Sequence, residues 1–211
     1  MEMSSPNPPV APSDYPVTFS VDYPDRELNR LTTFFRIFTV IPIAIVATLL
    51  SGGSLSAAAG VGAGILTLPV LLLILFRQKY PRWWYEWNLE VMRFGNRIGV
   101  YLALMDDRYP STDEMQAVRL DFPYPNVEAD LGRGMPLVKW LLAIPHYFVL
   151  FFLYIGAFFA VVIAWFAILF TGRYPRGLFD FVAGVIRWHN RVTGYAFALV
   201  TDRYPPFRLK P

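Results

Sequence analysis

The 211-residue chain contains no cysteine, which excludes disulfides, thiolate metal ligands and cysteine nucleophiles together. It has two histidines, His146 and His189, whereas a zinc site usually takes about three or four spaced ligands. Gly-x-Ser-x-Gly, a phosphate-binding glycine loop and His-Glu-x-x-His are all missing. No catalytic residue, cofactor or metal-ligand set can be assembled from what remains, and the expectation is a protein that is not an enzyme. Residues 1–15 have neither a basic start nor an apolar stretch, so they do not form a secretory signal and read as a disordered tail.

The most informative absence is of charge. No Asp, Glu, Lys or Arg occurs from Ile37 to Phe76, and none from Trp140 to Thr171. Both runs exceed the length needed to span a membrane, in a chain that is 55% hydrophobic and 17% aromatic. All sixteen acids lie outside the runs, which weakens ion or proton transport, since such proteins carry intramembrane carboxylates. The nineteen Lys and Arg crowd the flanks of the runs. That placement suits lipid headgroups and not nucleic acid, which asks for cations interleaved with stacking aromatics on a soluble face.

What is present is a repeated plan. FRQKYPR at 76–82 returns as FTGRYPR at 170–176; Asn96-Arg97 returns as Asn190-Arg191, and Tyr101 as Tyr195. Asp107-Arg108-Tyr109-Pro110 returns as Asp202-Arg203-Tyr204-Pro205. Upstream, Tyr23-Pro24 matches Tyr124-Pro125, Arg36 matches Lys139, and Ile41-Pro42 matches Ile144-Pro145. The reading is two tandem units, 16–110 and 117–207, joined by a polar linker at 111–116, with a short tail at 208–211.

Each unit begins with an alternating segment, 17–21 or 118–122, that predicts a half-buried strand. An apolar run follows. As one helix the first run would be about 60 Å long, roughly twice the hydrocarbon thickness, and Ser51-Gly52-Gly53-Ser54 offers a break. A hairpin over about 31–76 is therefore expected. The second run, about 137–170, reads as a hairpin turning near Tyr154 to Gly156 or as one tilted helix. Basic residues at both ends of each run favour hairpins, with the polar segments and both termini in the cytoplasm. Pro42 and Pro145 are expected to kink their helices.

After each Tyr-Pro-Arg comes an amphipathic helix, 82–98 or 176–192. Trp84, Trp87, Val91, Phe94 and Ile98 recur at helical spacing opposite Arg82, Glu86, Arg93 and Arg97. In the second copy Leu178, Phe181, Val185, Trp188 and Val192 oppose Arg176, Asp180, Arg187 and Arg191. Such a stripe suits either the headgroup plane or packing within the protein. A second strand is expected to close each unit, at 100–105 and 195–200. The fold class is thus a membrane α-helical protein with small β elements.

IPHYFVLFFL at 144–153, LFTGRYPRGLFDF at 169–181 and RWHNRVTGYAFALVTDRYPPF at 187–207 resemble the bacterial membrane-protein family called domain of unknown function 4389. The first half keeps the plan with weaker wording: Arg93-Phe94 stands for Arg187-Trp188, and Pro-Ser follows Tyr109 where Pro-Pro-Phe follows Tyr204. The resemblance implies a bacterial membrane protein with no assigned catalytic residues. The candidate interaction or structural motif is therefore taken from the second half: Arg187, Trp188, Arg191, Tyr195, Asp202, Tyr204, Pro205, Pro206 and Phe207. His146, inside an apolar run, is the candidate ligand contact. Two functions compete: a non-catalytic scaffold or accessory subunit at the cytoplasmic face of the inner membrane, and a small transporter or lipid-binding carrier with a site between the repeats. Expected partners are membrane lipid and another membrane protein or a second copy, without nucleic acid.

Overall fold

The computed structural model describes residues 14–50, 63–111 and 116–211. A short strand, β1 (Thr18–Val21), leads into three short helices, α1 (Arg30–Phe34), α2 (Arg36–Thr39) and α3 (Ile41–Leu50). Then come α4 (Ala63–Arg77), α5 (Arg82–Leu102), β2 (Val118–Asp121), α6 (Val127–Asp130), α7 (Met135–Leu142), α8 (Ile144–Thr171) and α9 (Arg176–Ala196). The expected turn at 51–54 and the residues of the linker at 112–115 lie outside the described residues.

β1 and β2 pair antiparallel, with Phe19 opposite Leu120 at the centre of the register. Val17, Phe19, Leu120 and Phe122 turn inward and are buried, as the period of two requires when one face of a strand meets a core. Under this ribbon lie α5 and α9. Arg93 on α5 donates from Nε to the Leu120 carbonyl at 2.9 Å, and Arg187 on α9 donates from Nε to the Phe19 carbonyl at 3.0 Å. Between the two helices Asn96 and Asn190 exchange side-chain amide hydrogen bonds at 2.8 and 2.6 Å. Each amphipathic helix therefore supports the strand from the other half of the chain.

α8 is one uninterrupted helix of 28 residues, about 42 Å long at the ordinary helical rise. This corrects the expected hairpin over 137–170. Gly156 does not make a turn; a Cβ there would lie 3.3 Å from Phe181, so the glycine allows α9 to pack closely. A single buried stripe runs along α8 through His146, Leu150, Ala157, Ala160, Ala164 and Ile168. Among the described residues α8 is the one helix long and apolar enough to cross a membrane.

Other expectations need correction. The closing strands at 100–105 and 195–200 are not strands: α5 and α9 run on through 102 and 196, and the chain then turns at Leu104 and Leu199, both with positive φ. Left-handed backbone costs a leucine roughly 1–2 kcal/mol. Both side chains are buried, which offsets that cost. Pro42 and Pro145 do not kink helices, because each sits at the second residue of a new one, where no intrahelical N–H is needed. At the ends, Tyr15 is buried and donates to the Arg203 carbonyl, while Leu209 packs on Gly184. Residues 1–13 of the expected tail lie outside the described residues.

Candidate functional site

The motif residues of the second half come together around the second half of α9 and the first turn of α8. Trp188 donates from Nε1 to His146 Nδ1 at 3.0 Å. The His146 ring stacks on Phe207 with centroids 4.0 Å apart, with Tyr204 at 4.8 Å. Tyr204 also meets Tyr195 edge-on at 5.8 Å and donates to the Leu142 carbonyl at 3.1 Å. His146 is fully buried. The aromatic groups thus pack around the histidine that the sequence offers as the ligand contact.

The charged members of the motif turn toward the backbone. Arg187 donates from Nη1 to the Leu209 carbonyl at 2.7 Å, and Arg191 donates to the carbonyls of Arg208 and Lys210 at 3.1 and 2.9 Å. An arginine fork is suited to gathering carbonyls from a segment that has no ladder of its own. Burial, and then the like charges of Arg208 and Arg187, pull the Arg191 guanidinium down to about 10, so it is still a cation at neutral pH. Asp202 accepts the Gly132 N–H at 2.7 Å and pairs with Lys139 at 2.6 Å. Lys139 also donates to the Thr201 carbonyl at 2.9 Å and lies 5.3 Å over the Tyr195 ring. Pro205 is buried and Pro206 partly so within the same turn.

The first half carries a corresponding set. Arg36 donates to the Asp106 carbonyl at 2.7 Å and lies 3.9 Å over the Tyr101 ring. Asp107 accepts the Asn29 N–H and is ion-paired with Arg26. Burial alone would raise the Asp107 carboxyl, but the Arg26 and Asn29 hydrogen bonds and the Arg26 charge outweigh it and hold the group below the usual range. At the opposite ends of the helices, Tyr23 donates to the Tyr174 carbonyl and Tyr124 to the Tyr80 carbonyl. Arg176 and Arg82 lie over those two tyrosine rings.

Sequence reasoning overlooked Lys139 as a member of this cluster. Its signal was available in the match to Arg36 and in its isolation as a cation beside an apolar run. Among the described residues no group of His, Asp and Glu is arranged to hold a metal ion. An open groove of about 640 Å³ runs between Gln78–Arg82 and Tyr124–Glu128, and a smaller one of about 390 Å³ lies beside Asp22–Arg26. Both lie away from His146.

Residues 135–208 match the family model described as Domain of unknown function (DUF4389). The DUF4389 match takes in α7, α8, α9 and the turn through Asp202, Tyr204 and Phe207, so it contains the whole cluster around His146 and Trp188. Nothing before residue 135 is included in it. No curated protein and no solved structure matches the chain.

Proposed function

We propose that the chain is two copies of one unit closed on each other inside one polypeptide, anchored in the cytoplasmic membrane, and acting there as a non-catalytic scaffold or accessory subunit. The tandem reading rests on contacts that come in corresponding pairs. Phe19 and Leu120, opposite each other in the sheet, occupy the same position of the repeat, as do Asn96 and Asn190, which bond each other. Arg93 to Leu120 is answered by Arg187 to Phe19, and Tyr23 to Tyr174 by Tyr124 to Tyr80. Self-complementary pairing of this kind is what a two-fold interface produces.

The scaffold reading is carried by one observation: the polar side chains of the motif are committed to the protein's own backbone. Arg36, Lys139, Arg187 and Arg191 all donate to main-chain carbonyls, and all but Arg187 are buried. Those groups hold two turns, the strand β1 and the segment 208–210 in place, and the product is a rigid body bearing a large apolar surface. Twelve large apolar side chains stand exposed along α8 alone, where a soluble monomer's patches rarely exceed a few hundred Å². Lipid on that surface and a protein partner on the polar one is the arrangement an accessory subunit would use. Gentle crosslinking in the native membrane, followed by purification, tests this. A defined membrane-protein partner or a second copy is expected; a chain that is monomeric, partnerless and free of anionic lipid contradicts it.

A further inference from the structure

We infer that α8 lies flat in one leaflet of the membrane, its outer aromatic face among the acyl chains and the two-stranded sheet turned to water. The inference rests on the membrane reading above, and deepens it by giving that membrane a side and a depth.

The geometry of α9 decides the layer order. At about 100° per residue, Arg187 and Gly194 fall within roughly 20° of each other on the helix, and both face β1: Arg187 bonds the Phe19 carbonyl, and a Cβ on Gly194 would meet Val17 at 2.6 Å. Phe181, Trp188 and Val192 fall roughly 100–140° further round the helix from Arg187, and they face α8. Phe181 meets Gly156, Trp188 bonds His146, and Val192 belongs to the same buried cluster as Leu150. Sheet, α9 and α8 are therefore stacked in that order.

α9 also runs back along α8, since only residues 172–175 separate the two helices. Whatever depth α8 occupies along its length, α9 occupies beside it. A crossing α8 would draw the exposed Arg176 and Asp180 of α9 in beside its apolar second half, and a charge at that depth is strongly disfavoured. Laid flat, α8 keeps α9 and the sheet one and two layers above the lipid. Arg119, Asp22 and Asp121, all exposed on the sheet, then remain in water.

The first half faces the same way. Arg93 points α5 at β2, while Phe94, Ile98 and Tyr101, roughly 80–140° further round α5, pack with Val40 and Ile43. Those two residues belong to the segment of α2 and α3, on which Ile37, Phe38, Ile41, Ile45 and Val46 stand exposed. α1 lies directly against α8, with Trp165 donating to the Thr33 carbonyl at 3.2 Å. Both apolar faces thus lie below the α5 and α9 layer. Exposed cations stand at both ends of α8, Arg133 and Arg203 near its start and Arg173 near its end. A flat helix places all of them at the headgroups of one leaflet. Its length of about 42 Å then has no bilayer thickness to match.

The test uses the full chain, whose lack of cysteine makes single replacements clean. Phe148→Cys, Phe158→Cys and Phe170→Cys sit at the start, middle and end of the exposed face of α8. Each is spin-labelled and reconstituted in vesicles of phosphatidylcholine and phosphatidylglycerol, and immersion depth is read from the ratio of oxygen to nickel-chelate collision rates. All three labels are expected at one shallow depth, roughly 5–10 Å below the phosphates, with a label at Arg119→Cys in water. A label at 158 near the bilayer midplane, about 15 Å deep, with 148 and 170 near the phosphates, overturns the inference and leaves the membrane reading intact. Three water-exposed labels overturn both. The search for a partner is read separately by crosslinking, so its failure does not alter these depths.

Discussion

Replacing Asp202 with alanine should destabilise the protein more than any neutral exposed substitution, and the structure fixes why. The Lys139 side chain is fully buried, and its ammonium is held by the Asp202 carboxylate at 2.6 Å and by the Thr201 carbonyl. Removing one partner of a buried pair leaves an uncompensated charge and costs about 3–5 kcal/mol. Asp202 is itself 22% exposed, so water reaches part of the site, and the expected loss is about 2–4 kcal/mol, which includes the lost Gly132 hydrogen bond. Lys139→Met combined with Asp202→Ala removes the charge along with its partner, and should recover at least about 1 kcal/mol of that loss. Denaturation of the purified protein in detergent, followed by tryptophan fluorescence, measures all the variants. A double variant no more stable than Asp202→Ala would refute the reasoning, because it would mean that the buried ammonium was never dependent on the carboxylate.

Three further outcomes are expected. Asn190→Ala should cost about 1–2 kcal/mol, and Asn96→Ala with Asn190→Ala less than the sum of the single changes, since the two amides satisfy each other; strict additivity in the same unfolding assay would argue against the reciprocal pair. Gly194→Ala drives a methyl into Val17 and should cost roughly 1–3 kcal/mol, whereas Gly177→Ala, with open space around it, should be neutral or slightly stabilising. The Asp107 carboxyl is held below its ordinary value of 3.8, so its contribution is present above that pH and is lost as pH falls through the lowered value; Asp107→Asn should flatten this part of the acid limb, and an unchanged limb would remove Asp107 from the account.

The strands β1 and β2 could be read from the sequence to within a residue, because each alternates cleanly and one face must be buried. The starts of α5 and α9 were equally plain, fixed by Tyr-Pro-Arg at 80–82 and 174–176. The closing segments misled because Tyr195-Ala-Phe-Ala-Leu-Val alternates large and small apolar residues as a strand does. In the fold it is the end of a helix followed by a left-handed turn at Leu199, and nearly every side chain there is buried, so no periodicity marks an outer face. Arg187 and Arg191 fall on the charged face of the amphipathic helix, and the sequence marks them only as part of a candidate motif. Their carbonyl partners, Phe19, Leu209, Arg208 and Lys210, are distant in sequence or lie in a segment without secondary structure, and no local pattern could name them. Gly156 gave a turn signal because glycine serves both turns and close helix contacts; only the presence of Phe181 opposite it decides between them.

The most direct test of the account is to ask on which side of the membrane its polar layer lies. Single cysteines replacing Arg119 in the sheet and Lys210 at the end of the chain, probed with a membrane-impermeant maleimide, should both react in inverted vesicles and in neither case react from outside intact cells. Labelling of either position from outside intact cells would contradict a scaffold that presents its sheet and its anchored chain end to the cytoplasm.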